Sequence, residues 1–370
     1  MLNWARVMTL VVLLAAGCAT PADAPHAASP RESERAVTRL ILVERPTGAA
    51  AVLDVADQAE TGLGEFGRVD AVSGDGRYAY LHGDAGTTVL DGGAWTFDHG
   101  DHSHFYDGPP TVVGRIEGRI AAVRASGALA VARRADGSVA TLDRDAFARG
   151  EGMPPSVVGS HEKTTAAFAL GDDVLTVTER GQVTKKAETT AVLGDCPAVT
   201  DAAVLRRAVV LGCRDGALKV SRRSGAPVVE SIPFATRPLE ALGPFGFRRQ
   251  GNSLAAVAGD EVWLLNGRRW ASMRLPGVVA VNTADATTVL ALTRDGVLHA
   301  LDVAAGADIS RIDLLAAPVG APVIEVGAGR AYVNDASARA VHEIAYADGL
   351  RVVRTHRTDV TPDFLAAAGW

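Results

Sequence analysis

An all-β fold built from one recurring hairpin is what this sequence predicts, and three observations predict it. First, 370 residues with 39 Gly, 17 Pro and a 48% hydrophobic fraction supply a large core and frequent turns, not long helices. Second, from Arg39 onward a short run rich in Val, Ala and Leu, a Gly/Asp turn and a second such run recur, as in RLILVERPTGAAAVLDV (39–55), AVVLGCRDGALKV (208–220) and TVLALTRDGVLHALD (288–302). Third, the turns centre near 47, 84, 136, 180, 215, 260, 295 and 337, a mean step of about 41 residues that matches a four-stranded blade of roughly 40–45. The reading is an all-β β-propeller over 37–370, with seven or eight four-stranded blades according to whether the two ends of the chain share one. Two β-sandwiches would not repeat at a single interval. Only AFARG at 146–150 has the character of a helical turn.

The elements ahead of the repeat read differently. Arg6 precedes an apolar run from Val7 to Ala16, the length of a signal h-region and too short to span a bilayer. It ends Leu14-Ala15-Ala16-Gly17-Cys18, which resembles a bacterial lipobox: residues 1–17 are expected to be a lipoprotein signal peptide, with lipidation at Cys18. An ordinary signal peptide with an incidental Cys is the alternative. Residues 18–36, rich in Ala, Pro and Ser, read as a flexible tether in which His26 has no partner. The protein is thus expected outside the cytoplasm, on the extracytoplasmic face of a bacterial membrane, touching it through the lipid alone. A net charge of −6 excludes a generally basic nucleic-acid binder.

An exported chain permits disulfides, and Cys196 and Cys213 are the two remaining cysteines. They read as a structural bridge worth roughly 3 kcal/mol on loop entropy. Two thiolate metal ligands are the rival reading, but neither Cys has a CxxC partner or an adjacent His.

The step from the turn at 84 to that at 136 exceeds the mean by about ten residues, and the surplus coincides with Trp95-Thr96-Phe97-Asp98-His99-Gly100-Asp101-His102-Ser103-His104-Phe105-Tyr106. Three of nine histidines fall in an HxxHxH pattern. His102 and His104 share a face of an extended segment, and Gly100 permits the bend that returns His99 to them. Imidazole is a favoured zinc donor, and Asp101 can add a carboxylate oxygen, with Asp98 orienting an imidazole from behind. The expected metal ligands are His99, Asp101, His102 and His104, with His161 as a candidate from another blade. A polar surface loop with coincidental histidines is the bland reading. Copper(I) would want Met or Cys, calcium would not choose imidazole, and copper(II) and nickel(II) stay open. Trp95, Phe97, Phe105 and Tyr106 read as anchors packing the loop to the propeller. His82, His299, His342 and His356 read as ordinary strand or surface residues.

The core HGDHSHFY resembles the signature of AztD-type zinc metallochaperones, exported β-propellers that work with a zinc ABC transporter, and Cys196-Pro197 with Gly212-Cys213-Arg214-Asp215-Gly216 is similar to that family's CP…GC.DG pairing. The chain departs from the pattern at Thr200, where the family tends to carry His, and at His161-Glu162-Lys163, where it tends to carry paired histidines. The resemblance implies reversible Zn2+ binding and handover to the transporter's solute-binding protein, with His99, Asp101, His102 and His104 as matching positions; the leading reading is a non-enzymatic zinc chaperone, expected to be a monomer. Two other functions compete. A metal-assisted propeller hydrolase or lactonase would need donors from several blades, and no GxSxG or HExxH motif is present. A cell-envelope interaction scaffold leaves the histidines unexplained.

Overall fold

The computed structural model describes residues 30–151, 156–158, 163–185, 191–316, 318–347 and 349–370. Among the described residues eight antiparallel sheets form the ring. Blade 1 pairs Arg39–Val43, Ala49–Asp54 and Glu60–Glu65 with the C-terminal strand Phe364–Ala368, whose ladder against Arg39–Val43 runs from Arg39 opposite Ala368 to Val43 opposite Phe364. The first and last strands of the repeat therefore share one blade, and the described residues make eight blades.

Each remaining blade repeats the same meander. The turn-centred hairpins of the sequence are its middle strands: Tyr78–Gly83 with Gly86–Asp91 in blade 2, Ala208–Cys213 with Gly216–Arg223 in blade 5, Thr288–Thr293 with Val297–Asp302 in blade 7. These strands are apolar on both faces because each blade is sandwiched between neighbours. Hence Leu40, Leu42, Leu90, Leu211 and Val289 are fully buried, whereas the outer strand of blade 5, Ala226–Pro233, is mostly solvent-facing. Among the described residues the core divides into eight apolar clusters, one at each blade interface. That is the packing signature of a closed ring.

Three features break the repeat. Blade 6 has three strands (Ser253–Ala258, Glu261–Asn266, Arg269–Arg274). Its innermost place is taken by the irregular run Pro244-Phe245-Gly246, which makes a single bridge from Gly246 to Ala255; proline cannot donate to a ladder. A short helix, Arg144–Ala148, follows the third strand of blade 3, capped by Asp143, whose carboxylate accepts from the Asp145 and Ala146 N–H groups. The last departure is a hairpin, Ala94–Asp98 with Ser103–Asp107, inserted between the third and outer strands of blade 2. It belongs to no blade.

The Cys196–Cys213 disulfide is present and joins the end of blade 4 to the second strand of blade 5. Strand Arg31–Ser33 lies inside the stretch expected as tether: it pairs with Ser103–Asp107 and turns the inserted hairpin into a three-stranded sheet. No helix among the described residues is long and apolar enough to cross a membrane. Cys18, His26 and His161 lie outside the described residues.

Candidate metal centre

The inserted hairpin is held at its base, middle and tip. At the base, Arg39 of blade 1 donates to the carbonyls of Gly92 (3.3 Å) and Gly108 (2.6 Å) and pairs with Asp107 (2.6 Å) and Asp54 (3.1 Å). Along the shaft, Trp95 and Tyr106 are cross-strand partners whose rings stack at 5.1 Å, and the Arg77 guanidinium lies 3.6 Å over the Trp95 ring. The Thr96 hydroxyl donates to the carbonyl of Gly369 (2.6 Å). Near the tip, Asp98 pairs with Arg206 of blade 5 at 2.6 Å, so the hairpin reaches from blade 2 toward blade 5. Beneath it lies a cavity of about 650 Å³ lined by Arg77, Arg144, Arg207 and Trp370 opposite Phe97 and His99.

The turn that joins the two strands carries the chemistry. The His99 N–H donates to the His102 carbonyl (2.9 Å), and Gly100 sits at φ +98°, a conformation that glycine adopts without strain. Asp98 caps this turn by accepting from the Gly100 N–H (2.7 Å). That hydrogen bond, and then the Arg206 guanidinium, hold its carboxyl below the usual range. Asp98 is therefore a turn and latch residue; the expectation that it orients an imidazole is corrected, since both its oxygens are engaged elsewhere.

His99, His102 and His104 bring one ring nitrogen each to within 4.8 Å of one another, at an exposed position. The His99 and His102 rings stack at 4.9 Å, and His104 meets both edge-on. Each of the latter two histidines has a carboxylate behind it. Asp101 lies 2.9 Å from Nδ1 of His102, and Glu32 lies 2.5 Å from Nδ1 of His104. A carboxylate only accepts, so each Nδ1 carries a proton, and in the neutral ring the Nε2 lone pair is the one free to bind a metal. Those Nε2 atoms face each other at 3.1 Å. A contact that short between two ring nitrogens is favourable when a proton or a metal ion lies between them. Around a tetrahedral zinc with bonds of 2.0–2.1 Å, neighbouring nitrogens sit about 3.3–3.4 Å apart. The donor set fits zinc: three borderline-soft imidazoles, two already oriented, on an open turn that leaves a fourth position free.

The structure places the expected residues as follows. His99, His102 and His104 converge. Asp101 is adjacent but faces the far nitrogen of His102, not the space shared by the three rings. Trp95 and Tyr106 anchor the loop, while Phe97 is 54% exposed and meets His99 edge-on at 4.6 Å, so it shields an imidazole and does not pack the hairpin to the ring. Glu32 is the residue that sequence reasoning missed. It lies 72 positions from His104 in a stretch without periodicity, and no local signal marks it.

The other described histidines are held in blades. His82 sits between Ser73 and Thr87, both at 3.0 Å, and burial, reinforced by Arg124, lowers its pKa to about 4. His299 pairs with Asp308, His342 with Thr355 and Asp335, and His356 with Glu343. None of the four joins a metal-holding cluster among the described residues.

No model of a known protein family matches the sequence, and no curated protein matches it either. Solved structures do. The crystal structure of AztD from Citrobacter koseri aligns with a TM-score of 0.73 and 18% identity over 91% of this chain and 99% of that one. The apo form of the same protein gives 0.74 and 17% over 90% and 98%. The fold is that of AztD. Dihydro-heme d1 dehydrogenase NirN in complex with DHE is similar at a TM-score of 0.60 and 15% identity, over 92% of this chain and 78% of that one. A ring that serves both AztD and a dehydrogenase does not by itself decide between binding and catalysis; the residues of the hairpin must.

Proposed function

We propose that the chain is an exported, lipid-anchored zinc chaperone that buffers Zn2+ outside the cytoplasm and hands it to the solute-binding protein of a zinc ABC transporter, with zinc as cargo and no reaction catalysed. The observation that carries this reading is the pair of Nε2 atoms at 3.1 Å, each aimed by a carboxylate on its Nδ1, with His99 stacked beside them. The AztD fold supports it, as does the resemblance of HGDHSHFY to the AztD-type zinc metallochaperones. Exposure argues for delivery over storage. His102 has a side chain 58% exposed, and a three-imidazole site on an open turn leaves room for an acceptor's ligand to enter before the first bond is released. A closed four-ligand structural site could not exchange in that way.

The residues have separate tasks. His99, His102 and His104 would hold the ion through ring nitrogens; Asp101 keeps the His102 proton on Nδ1; Asp98, Gly100 and Arg206 fix the turn. Competitive zinc titration of the wild type against a His99→Ala/His102→Ala/His104→Ala variant tests the reading, with an expected loss of at least about 100-fold in affinity. The holo protein should then load the solute-binding protein faster than a chelator-limited free-ion route allows. Equal affinities for wild type and triple variant would refute it.

A further inference from the structure

We propose that Glu32 is a positioning residue for the metal centre, and that the strand carrying it couples metal affinity to the docking of the tether end. This deepens the proposed function and rests on it. Glu32 accepts the Nδ1 proton of His104 at 2.5 Å and so leaves the Nε2 lone pair of that ring directed at His102. A free imidazole in water favours the opposite tautomer, with the proton on Nε2 where a metal would have to displace it. Glu32 therefore performs for His104 what Asp101 performs for His102. The difference is where each carboxylate comes from. Asp101 is on the turn itself, but Glu32 arrives on a separate strand.

That strand, Arg31–Ser33, forms its ladder with Ser103–Asp107 and with no blade strand: Arg31 lies opposite Asp107, Glu32 opposite Tyr106 and Ser33 opposite Phe105. Its ion pair, Arg31 with Asp107, is 3.6 Å long and the Arg31 side chain is 83% exposed, a geometry that stabilises little. Three ladder residues, one ion pair and one carboxylate–imidazole contact are a small attachment, and none of them involves a blade strand. Whatever favours the docked strand favours the zinc-binding tautomer of His104, and by linkage bound zinc favours the docked strand to the same degree. The metal centre is thereby coupled to the docking of the strand Arg31–Ser33.

The test uses the purified full-length protein and its Glu32→Ala, Glu32→Asp and Arg31→Ala variants. Two quantities are read: zinc affinity by chelator competition, and the tautomer of His104 in the metal-free protein from imidazole 15N shifts. E32A is expected to lose roughly 10- to 100-fold in affinity, the usual cost of removing a carboxylate behind a ligating imidazole, and to move the His104 proton from Nδ1 toward Nε2. E32D should recover part of both, and R31A should leave the tautomer in place. Unchanged affinity and tautomer in E32A overturn the proposal. So does an affinity loss with no tautomer change, which would make Glu32 a direct ligand. If the wild type itself binds no zinc, the proposed function fails with it, and that outcome is recognised because the wild-type titration is flat before any variant is compared.

Discussion

Arg77 offers the sharpest test of how the hairpin is held. Its guanidinium makes a two-point ion pair with Asp91, Nη2 to Oδ2 at 2.7 Å and Nε to Oδ2 at 3.0 Å, while its face covers the Trp95 ring. The two side chains are only 13% and 9% exposed, so removing the cation strands a carboxylate in a place that water barely reaches. Breaking such a pair costs about 3–5 kcal/mol, and losing the ring contact adds roughly 1 kcal/mol. Arg77→Met keeps much of the stem packing and should lower the unfolding free energy by about 4 kcal/mol, measured by urea denaturation at neutral pH and room temperature. The double variant Arg77→Met/Asp91→Asn should regain a large part of that loss. The amide it introduces has no charge to strand, and its side-chain oxygen can still accept from the Gly93 N–H, as Asp91 does at 2.8 Å. A cost below about 1 kcal/mol in the single variant, or simple additivity in the double, would refute a desolvated pair at this position.

Two further outcomes follow from the ring. The pKa of His82 is lowered from 6.5 to about 4 in the folded state; the unfolded chain therefore takes up this proton first, and the associated stability, present above pH 6.5, is lost as pH falls toward 4. The fall amounts to about 3 kcal/mol, and stability–pH curves should show a shallower decline for His82→Gln than for the wild type. Removing the Cys196–Cys213 bridge, which closes a sequence separation of 17, should cost about 3 kcal/mol in urea unfolding of the Cys196→Ala/Cys213→Ala variant, with zinc affinity unchanged because the bridge lies in blades 4 and 5, outside the histidine hairpin.

Much of this architecture is local in the sequence. A blade's middle hairpin carries its own turn residues and two doubly buried strands, so runs such as 208–220 and 288–302 announce both ends of each hairpin, and the surplus between 84 and 136 marks the inserted one. The cysteine pair is equally local in spacing. What escapes is the pairing of distant segments. Nothing in FLAAA at 364–368 distinguishes a closing inner strand from any other apolar run, so the repeat alone is compatible with seven or eight blades, and only the ladder with Arg39–Val43 decides. Blade 6 loses its inner strand to Pro244-Phe245-Gly246 while the hairpin repeat around it continues undisturbed. At the site, the HxxHxH spacing identifies three converging rings, but the direction of the Asp101 and Asp98 carboxylates depends on side-chain torsions and on Arg206, 108 residues away. Glu32 depends on a strand that the composition of its neighbourhood hides.

The closing strand Phe364–Ala368 has one more effect. The residue after it, Gly369, presents the carbonyl that Thr96 grips, and its neighbour Trp370 lines the cavity under the histidine turn. The strand that closes blade 1 is thus continued by the residues against which the histidine hairpin comes to rest. A chain whose ring has not closed lacks that support for the hairpin. The convergence of the three histidines therefore depends on the closure of blade 1, and unzipping that blade is expected to loosen the hairpin that carries them.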